Sequence, residues 1–221
     1  MTLLLGSGEG WSAWNKPAGI PVFPPHADPA GDCLLARSGL ESTGWEPSFA
    51  GGLAHRLDTP TSGQVLSAHT QASLDALRGL FGAGSLEKVY RFVSDGNVNW
   101  DTHTVEVPIA HHKRKRANMI VARGKNTPHR GKWYPAHTEL RRLGPTTDGG
   151  VLWEAVITTG VMHQIRAHAA FVGLPLRGDK RYGGGPPRSE EVPFLLHHLG
   201  LSGPNLLPPQ APLPDFWPIP E

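Results

Sequence analysis

Gly52-Leu53-Ala54-His55-Arg56-Leu57-Asp58-Thr59-Pro60-Thr61-Ser62-Gly63 runs directly into the apolar stretch Gly63 to Ala68. A carboxylate stands beside an arginine, ahead of a proline-containing turn, and the turn leads into a strand. Carboxylates on such loops do chemistry when the turn fixes their direction. The competing reading is an Asp that satisfies the backbone N–H groups of its own turn. From these twelve residues alone both stand.

Outward from this stretch the chain alternates turns with short extended pieces. Upstream, Trp11 to Trp14 reads as a strand, Asn15-Lys16-Pro17-Ala18-Gly19 as a turn, and Leu34 to Ala36 as one helical turn. Downstream, Thr70 is a predicted N-cap for a helix carrying Leu74, Leu77, Leu80 and Phe81, stopped by Gly82 and Gly84. Glu87 to Val93 reads as a strand. So do the alternating Val105, Val107 and Ile109, the pieces Asn118 to Ala122 and Ala136 to Leu140 between basic loops, and Val151 to Ile157. Met162 to Val172 is a predicted helix closed by Gly173 and Pro175, and Phe194 to Leu201 a last strand. Strands following strands, with two clear helices, predict an α+β fold: a mixed, mostly antiparallel sheet with a few flanking helices. We expect one domain over 1–221, ending in a proline-rich irregular tail over 204–221.

Composition agrees. The 221 residues include 27 Gly and 22 Pro, which disfavours a helical bundle or coiled coil. The one cysteine, Cys33, excludes an internal disulfide and a cysteine-based metal cluster and fits a reducing compartment. No apolar run approaches the roughly 20 residues needed to cross a bilayer. Leu3-Leu4-Leu5 has no basic lead-in, so no signal peptide is expected and the cytoplasm is the expected compartment.

The net charge of +2 conceals an asymmetry. His111 to Arg142 carries ten Lys/Arg and one acid, Glu139, while the remainder balances at −7. Such a segment is either a polyanion contact or a solvated basic loop. Gly6-Ser7-Gly8-Glu9-Gly10 lacks the spacing of a nucleotide loop, and no serine sits in a Gly-x-Ser-x-Gly frame. Twelve histidines invite a metal-dependent or serine hydrolase reading. But His163 and His168 are badly spaced for one helix face, and the adjacent pairs His111-His112 and His197-His198 diverge on a strand. No metal site is expected.

A second unusual segment is Thr158-Thr159-Gly160-Val161-Met162-His163-Gln164-Ile165-Arg166-Ala167-His168. With Ile165, Ala169 and Val172 facing a core, Arg166 points either into a cleft or to solvent. Taken with the first segment, the chain resembles the RluA family of pseudouridine synthases. His55-Arg56-Leu57-Asp58 with Thr61-Ser62-Gly63 matches that family's central motif, and Glu87-Lys88-Val89-Tyr90 its EK-x-Y strand. Thr159-Gly160 with His163-Gln164-Ile165-Arg166 and His168 matches its TGR-x-HQIR-x-H motif. Gly173-Leu174-Pro175, Gly178-Asp179, Tyr182-Gly183, Asn15-Lys16-Pro17-Ala18-Gly19 and Val107-Pro108-Ile109 are similar to weaker signatures, so the resemblance spans about 14–184. Val161 departs from the family's Arg, the closing LHA-x-x-L-x-F-x-HP motif survives in part as Leu196-His197-His198 and Leu201, and the S4 domain of many members is not expected here.

The resemblance implies an isomerase that converts uridine in tRNA or ribosomal RNA to pseudouridine with no cofactor. It implies Asp58 as the carboxylate acting at C1′, Arg166 as the cation that keeps it ionised, and Tyr90 as the ring that stacks on uracil and helps remove the C5 proton. His55, Arg56, His163, Gln164 and the basic run Lys113-Arg114-Lys115-Arg116 are the expected RNA contacts, with Arg56 filling the space of a flipped base. RNA is the expected partner, with no membrane and no obligate protein partner. The alternative is a non-catalytic RNA-binding protein on the same fold.

Overall fold

The computed structural model describes residues 3–40, 44–45, 47–115, 117–185 and 194–220. In chain order the elements are β1 (Leu4–Gly8), β2 (Trp11–Lys16), α1 (Leu34–Ser38), β3 (Ser62–Ala68), α2 (Gln71–Gly82), β4 (Glu87–Ser94), β5 (Thr102–Val105), β6 (Ile109–His112), β7 (Met119–Val121), β8 (His129–Tyr134), β9 (Thr138–Pro145), β10 (Val151–Ile157), α3 (Gln164–Phe171) and β11 (Leu196–Ser202). Pro47–Gly52 holds two short 3-10 turns separated by a kink at Phe49, Ala50 and Gly51. The chain forms two compact units, one from Met1–Lys88 with His197–Pro214, the other from Val89–Leu196 with Asp215–Glu221.

The first unit contains the strand order β1-β2-β3-β11. β1, β2 and β3 are antiparallel neighbours, with Lys16 opposite Gly63 and Trp11 opposite Ala68. β11 runs parallel to β3, pairing His197 with Ser62 and His198 with Gly63. Every residue of β3 is buried, as expected of a strand flanked on both edges and covered on its faces. The cover on one side is α2, whose Leu74 and Leu77 pack with Ala13, Leu66, Ala68, Leu86 and Leu201. Its start is fixed as expected: Thr70 and Ser73 form a reciprocal capping box. The tail is irregular yet anchored, since the Gln64 side-chain amide donates to Pro209 O at 2.8 Å and Ala211 N to Leu199 O at 2.7 Å.

The second unit holds the order β4-β10-β9-β5 and a separate three-stranded sheet, β7-β6-β8. α3 lies over that small sheet, where Ala167 packs with Ile109, Met119, Val121 and Ala136. The two sheets correct two sequence expectations. Val105 to Ile109 is not one strand: β5 pairs with β9 and β6 with β7 and β8, and the chain changes sheets at Glu106–Pro108, where Pro108 has no N–H to donate to a ladder. And the basic segment before Ala136 is not all loop. His129–Tyr134 forms β8, whose charged residues and Gly131 hide its strand character from a reading based on apolar alternation.

Candidate active site

The loop bearing Asp58 is fastened at both ends. Leu53 and Ala54 are buried, and Ala54 N donates to Leu66 O on β3 at 2.8 Å. Asp58 itself is half-buried. Its carbonyl accepts Thr61 N–H at 2.9 Å, which closes the turn through the backbone. Beyond the turn, Ser62 Oγ lies 2.8 Å from His197 Nδ1 across the β3–β11 pair. Gly63, at φ +118, sits against the His198 backbone, where a Cβ would collide with the carbonyl. Glycine is required there for conformation and for space. Thus the end of the motif serves to seat β11 against β3.

Lys16 secures the turn from the other side. It is fully buried, and its Nζ donates to Pro17 O at 2.8 Å, Ile20 O at 2.7 Å and Thr59 O at 3.2 Å. Gly19 N also donates to Thr59 O, at 3.0 Å. Burial lowers the Lys16 pKa to about 7, while the Asp58 carboxylate opposes the shift by favouring the ammonium. When protonated, Lys16 interacts electrostatically with Asp58 within this unit. In the sequence it stands in a turn and a weak signature, with nothing local to mark this role.

His55, expected at the RNA, performs a structural task. Its Nε2 accepts the Leu66 N–H at 3.1 Å, and its ring lies against Phe81 and edge-on to His198. Burial, together with the positive ends at His198 and Lys88, drives its pKa well below that of a free imidazole, so the ring is neutral. Arg56, next in sequence, is exposed and has no ion-pair partner among the described residues, as a nucleotide contact would need.

In the second unit, Tyr90 lies on β4 with 9% of its surface exposed. Arg166 projects from α3, where residues Gln164 to Ala169 are all buried. It does not point to solvent. Its Nε and Nη2 donate to Asp179 Oδ2 at 2.7 Å and Oδ1 at 2.9 Å, a two-pronged ion pair with both partners buried. Its guanidinium also lies about 5 Å from the ring centroids of Tyr182 (5.1 Å) and Phe194 (5.0 Å). In the sequence Asp179 is an acid following a glycine, with nothing local to tie it to Arg166, and the fold brings the two together.

The other residues of the second motif are structural. Gln164, an expected RNA contact, uses its amide inside the fold: Nε2 donates to His137 O and Thr138 Oγ1, and Oε1 accepts from Thr159 Oγ1 and Val161 N. His163 adopts φ +54 and its Nδ1 lies 2.9 Å from the Tyr182 hydroxyl, which accepts Met119 N–H. His168 has both ring nitrogens engaged, one with Thr138 Oγ1 and one with Val107 O. Val161, where the related motif has Arg, packs on the α3–β6 cluster. Lys113, Arg114 and Lys115 are exposed on the β6–β7 hairpin, where His112 Nδ1 accepts the N–H groups of Arg114 and Lys115. Arg116 lies outside the described residues.

These placements can be set beside known proteins. The family model described as RNA pseudouridylate synthase matches residues 10–171, which contain Asp58, Tyr90 and Arg166. The chain belongs to that family. Among curated relatives, "RNA pseudouridine synthase 2, chloroplastic" of Oryza sativa is 38% identical over 60% of this chain and 29% of its own length. "Uncharacterized RNA pseudouridine synthase" of Chloroflexus aurantiacus is 35% identical over 86% of this chain and 58% of its own. "Ribosomal large subunit pseudouridine synthase D" of Zymomonas mobilis is 33% identical over 76% and 52%. The chain thus spans from under a third to under two thirds of the length of these relatives. The fold of this RNA pseudouridylate synthase family member is also that of the solved human RNA Pseudouridylate Synthase Domain Containing 4, with a TM-score of 0.71 and 22% identity over 96% of this chain and 89% of that one.

Proposed function

We propose that this protein isomerises uridine in RNA to pseudouridine, with Asp58 as the catalytic carboxylate. The observation that carries the reading is the rigid mounting of Asp58: a backbone-closed turn, pinned through Thr59 O by Lys16 and Gly19, opening directly into the fully buried β3. A reacting carboxylate must be held within a fraction of an ångström of its target, and this loop is built to do that.

The chemistry is an isomerisation. The N1–C1′ bond breaks, the uracil turns, C5–C1′ forms, and the C5 proton is lost as N1 gains one. Asp58 adds to the nucleoside or stabilises positive charge at C1′. Arg166, oriented by Asp179, is the cation assigned to the reaction. Tyr90 presents an aromatic face to the uracil and a hydroxyl for proton transfer. Arg56 occupies the space left by the flipped nucleotide, and Lys113 to Arg116 meet phosphates. Relatives named for the ribosomal large subunit favour ribosomal RNA over tRNA as the substrate. A single free cysteine, Cys33, suits a reducing compartment, and the cytoplasm is the proposed site of action.

The test is a pseudouridine-specific chemical readout on RNA from cells that lack the protein, incubated with purified variants. Asp58→Asn is expected to abolish product while RNA affinity stays within about twofold; Tyr90→Phe is expected to lose turnover more than affinity. Turnover by Asp58→Asn above a few per cent of wild type overturns the assignment. Normal RNA binding with no product from the wild-type chain on any cellular RNA would leave a non-catalytic RNA-binding protein.

A further inference from the structure

Between His111 and Tyr134 the sequence has eight Lys/Arg and no acid. Several arginines elsewhere find carboxylates: Arg37 with Asp32, Arg91 and Arg141 with Glu154, Arg142 with Asp101, and Arg177 with Asp95 and Asp148. On the small sheet they do not. Lys113, Arg114, Lys115, Arg123, Lys125, Arg130 and Lys132 are all exposed, and none forms an ion pair among the described residues. Seven like charges on one small sheet and its connecting loops repel one another, a cost that an approaching polyanion would relieve.

The hairpin cations already belong to the proposed phosphate contacts. Those around β8 do not, and their backbone setting is unusual. β8 is an edge strand, since β6 lies between it and β7. Along the β6–β8 pair the register moves from Ile109–Tyr134 to His111–Arg130, so two steps on β6 face four on β8. The surplus residues form a bulge at Gly131 to Trp133, with Gly131 at φ +74. Bulges re-aim side chains at a sheet edge. Here the bulge carries Lys132 and Trp133, and Trp133 lies against His129 with ring centroids 4.3 Å apart and planes tilted by 39°. Lys132 Nζ sits 5.2 Å from the Tyr134 ring.

We propose that the bulged β8 edge is a docking strip for an unpaired stretch of RNA, with Lys125, Arg130 and Lys132 on phosphates and the His129–Trp133 pair as a platform for one base. The inference rests on RNA being this protein's substrate. Unbalanced cations alone would suit any polyanion. The aromatic pair among them points to a ligand with flat faces between its charges, as in single-stranded nucleic acid. Edge lysines also discourage strand-to-strand aggregation, but that task needs neither a base-sized aromatic pair nor a bulge that presents it.

The experiment is a binding titration of the full chain at several salt concentrations. Its probes are an oligouridine of about 15 nucleotides, which matches single-strand site sizes, and an inorganic polyphosphate of similar charge. For the triple variant Lys125→Gln, Arg130→Gln, Lys132→Gln the log–log salt slope is expected to flatten by about 2 with either probe. Trp133→Ala is expected to weaken oligouridine binding by at least about fivefold and leave polyphosphate binding unchanged, with Trp133→Phe retaining most of the affinity. Parallel salt lines for the triple variant overturn the strip. Equal effects of Trp133→Ala on both probes, or none, overturn the platform. The triple variant changes only exposed side chains, so it remains informative if Trp133→Ala is unstable. Because these readouts involve no turnover, they separate from the Asp58 test: a catalytically irrelevant Asp58 would leave the strip standing, and an unaltered slope would leave the catalytic reading standing.

Discussion

Substituting Asp179 isolates what the Arg166 ion pair contributes. The two side chains are 6% and 1% exposed and joined by two short bonds, and Asp179 also accepts Arg181 N–H at 3.2 Å. In Asp179→Ala the guanidinium stays in the interior without that carboxylate. Removing one partner of a buried pair costs about 3 to 5 kcal/mol. The Tyr182 and Phe194 rings beside the guanidinium offset little of this, since such contacts give on the order of 1 kcal/mol. For a chain of this size each kcal/mol moves the melting temperature by about 2–4 °C, so a fall of about 6–20 °C is expected. Asp179→Asn keeps the shape and one acceptor and should lose roughly half as much. Thermal melts followed by near-ultraviolet circular dichroism give the stability, and single-turnover pseudouridine formation below the melting range gives the function. If Asp179 orients Arg166 for the reaction, the folded Asn variant loses turnover while binding RNA normally. A stability loss under about 1 kcal/mol for Asp179→Ala would mean that the pair contributes no more than a surface salt bridge, and would refute the reasoning.

Three further outcomes follow from other residues. Gly63→Ala forces a Cβ into the His198 backbone at φ +118 and is expected to cost about 2 to 6 kcal/mol in urea unfolding, with near-wild-type stability contradicting the close β3–β11 approach. His197 and His198, buried with pKa values lowered to about 4, exclude protons that the unfolded chain takes up below its ordinary value of 6.5; their stability contribution is therefore complete above that pH and declines toward 4, by about 2 kcal/mol for each at pH 5, measurable as a falling urea midpoint. Lys16→Met unpins Thr59 and the Pro17 and Ile20 carbonyls and is expected to lower single-turnover rate about tenfold or more with RNA affinity nearly unchanged, so a matching loss of affinity would count against a positioning role.

Much of the fold is legible in the chain because its signals are local. Thr70 with Ser73, the Leu74–Leu77 spacing and the Gly82–Gly84 stop all lie within one helix, and α2 forms where they predict. Val151 to Ile157 alternates and becomes β10. The misreadings arise where identity depends on a distant partner. Val107 continues the alternation of Val105 and Ile109, yet the chain leaves one sheet for another there, and only the pairing partners β9, β7 and β8 determine it. β8 is polar because it is an open, bulged edge, so its pattern is not that of a half-buried strand.

The site divides in the same way. A motif read as a string assigns every polar residue to the substrate, but folding needs polar residues as well. His55 and Gln164 lie within the two strongest motifs, and each meets backbone groups that burial would otherwise leave unsatisfied: Leu66 N–H for His55, Val161 N–H and His137 C=O for Gln164. Conversely, Lys16 and Asp179 stand in weaker signatures, yet they act on the two charged groups that the proposed chemistry uses, Asp58 through a shared field and Arg166 through a two-pronged bond. Burial separates the roles. The buried Gln164 amide, its oxygen and nitrogen both engaged inside the fold, has nothing left for RNA. An exposed cation with no ion-pair partner among the described residues, such as Arg56 or Arg130, has its full charge to offer.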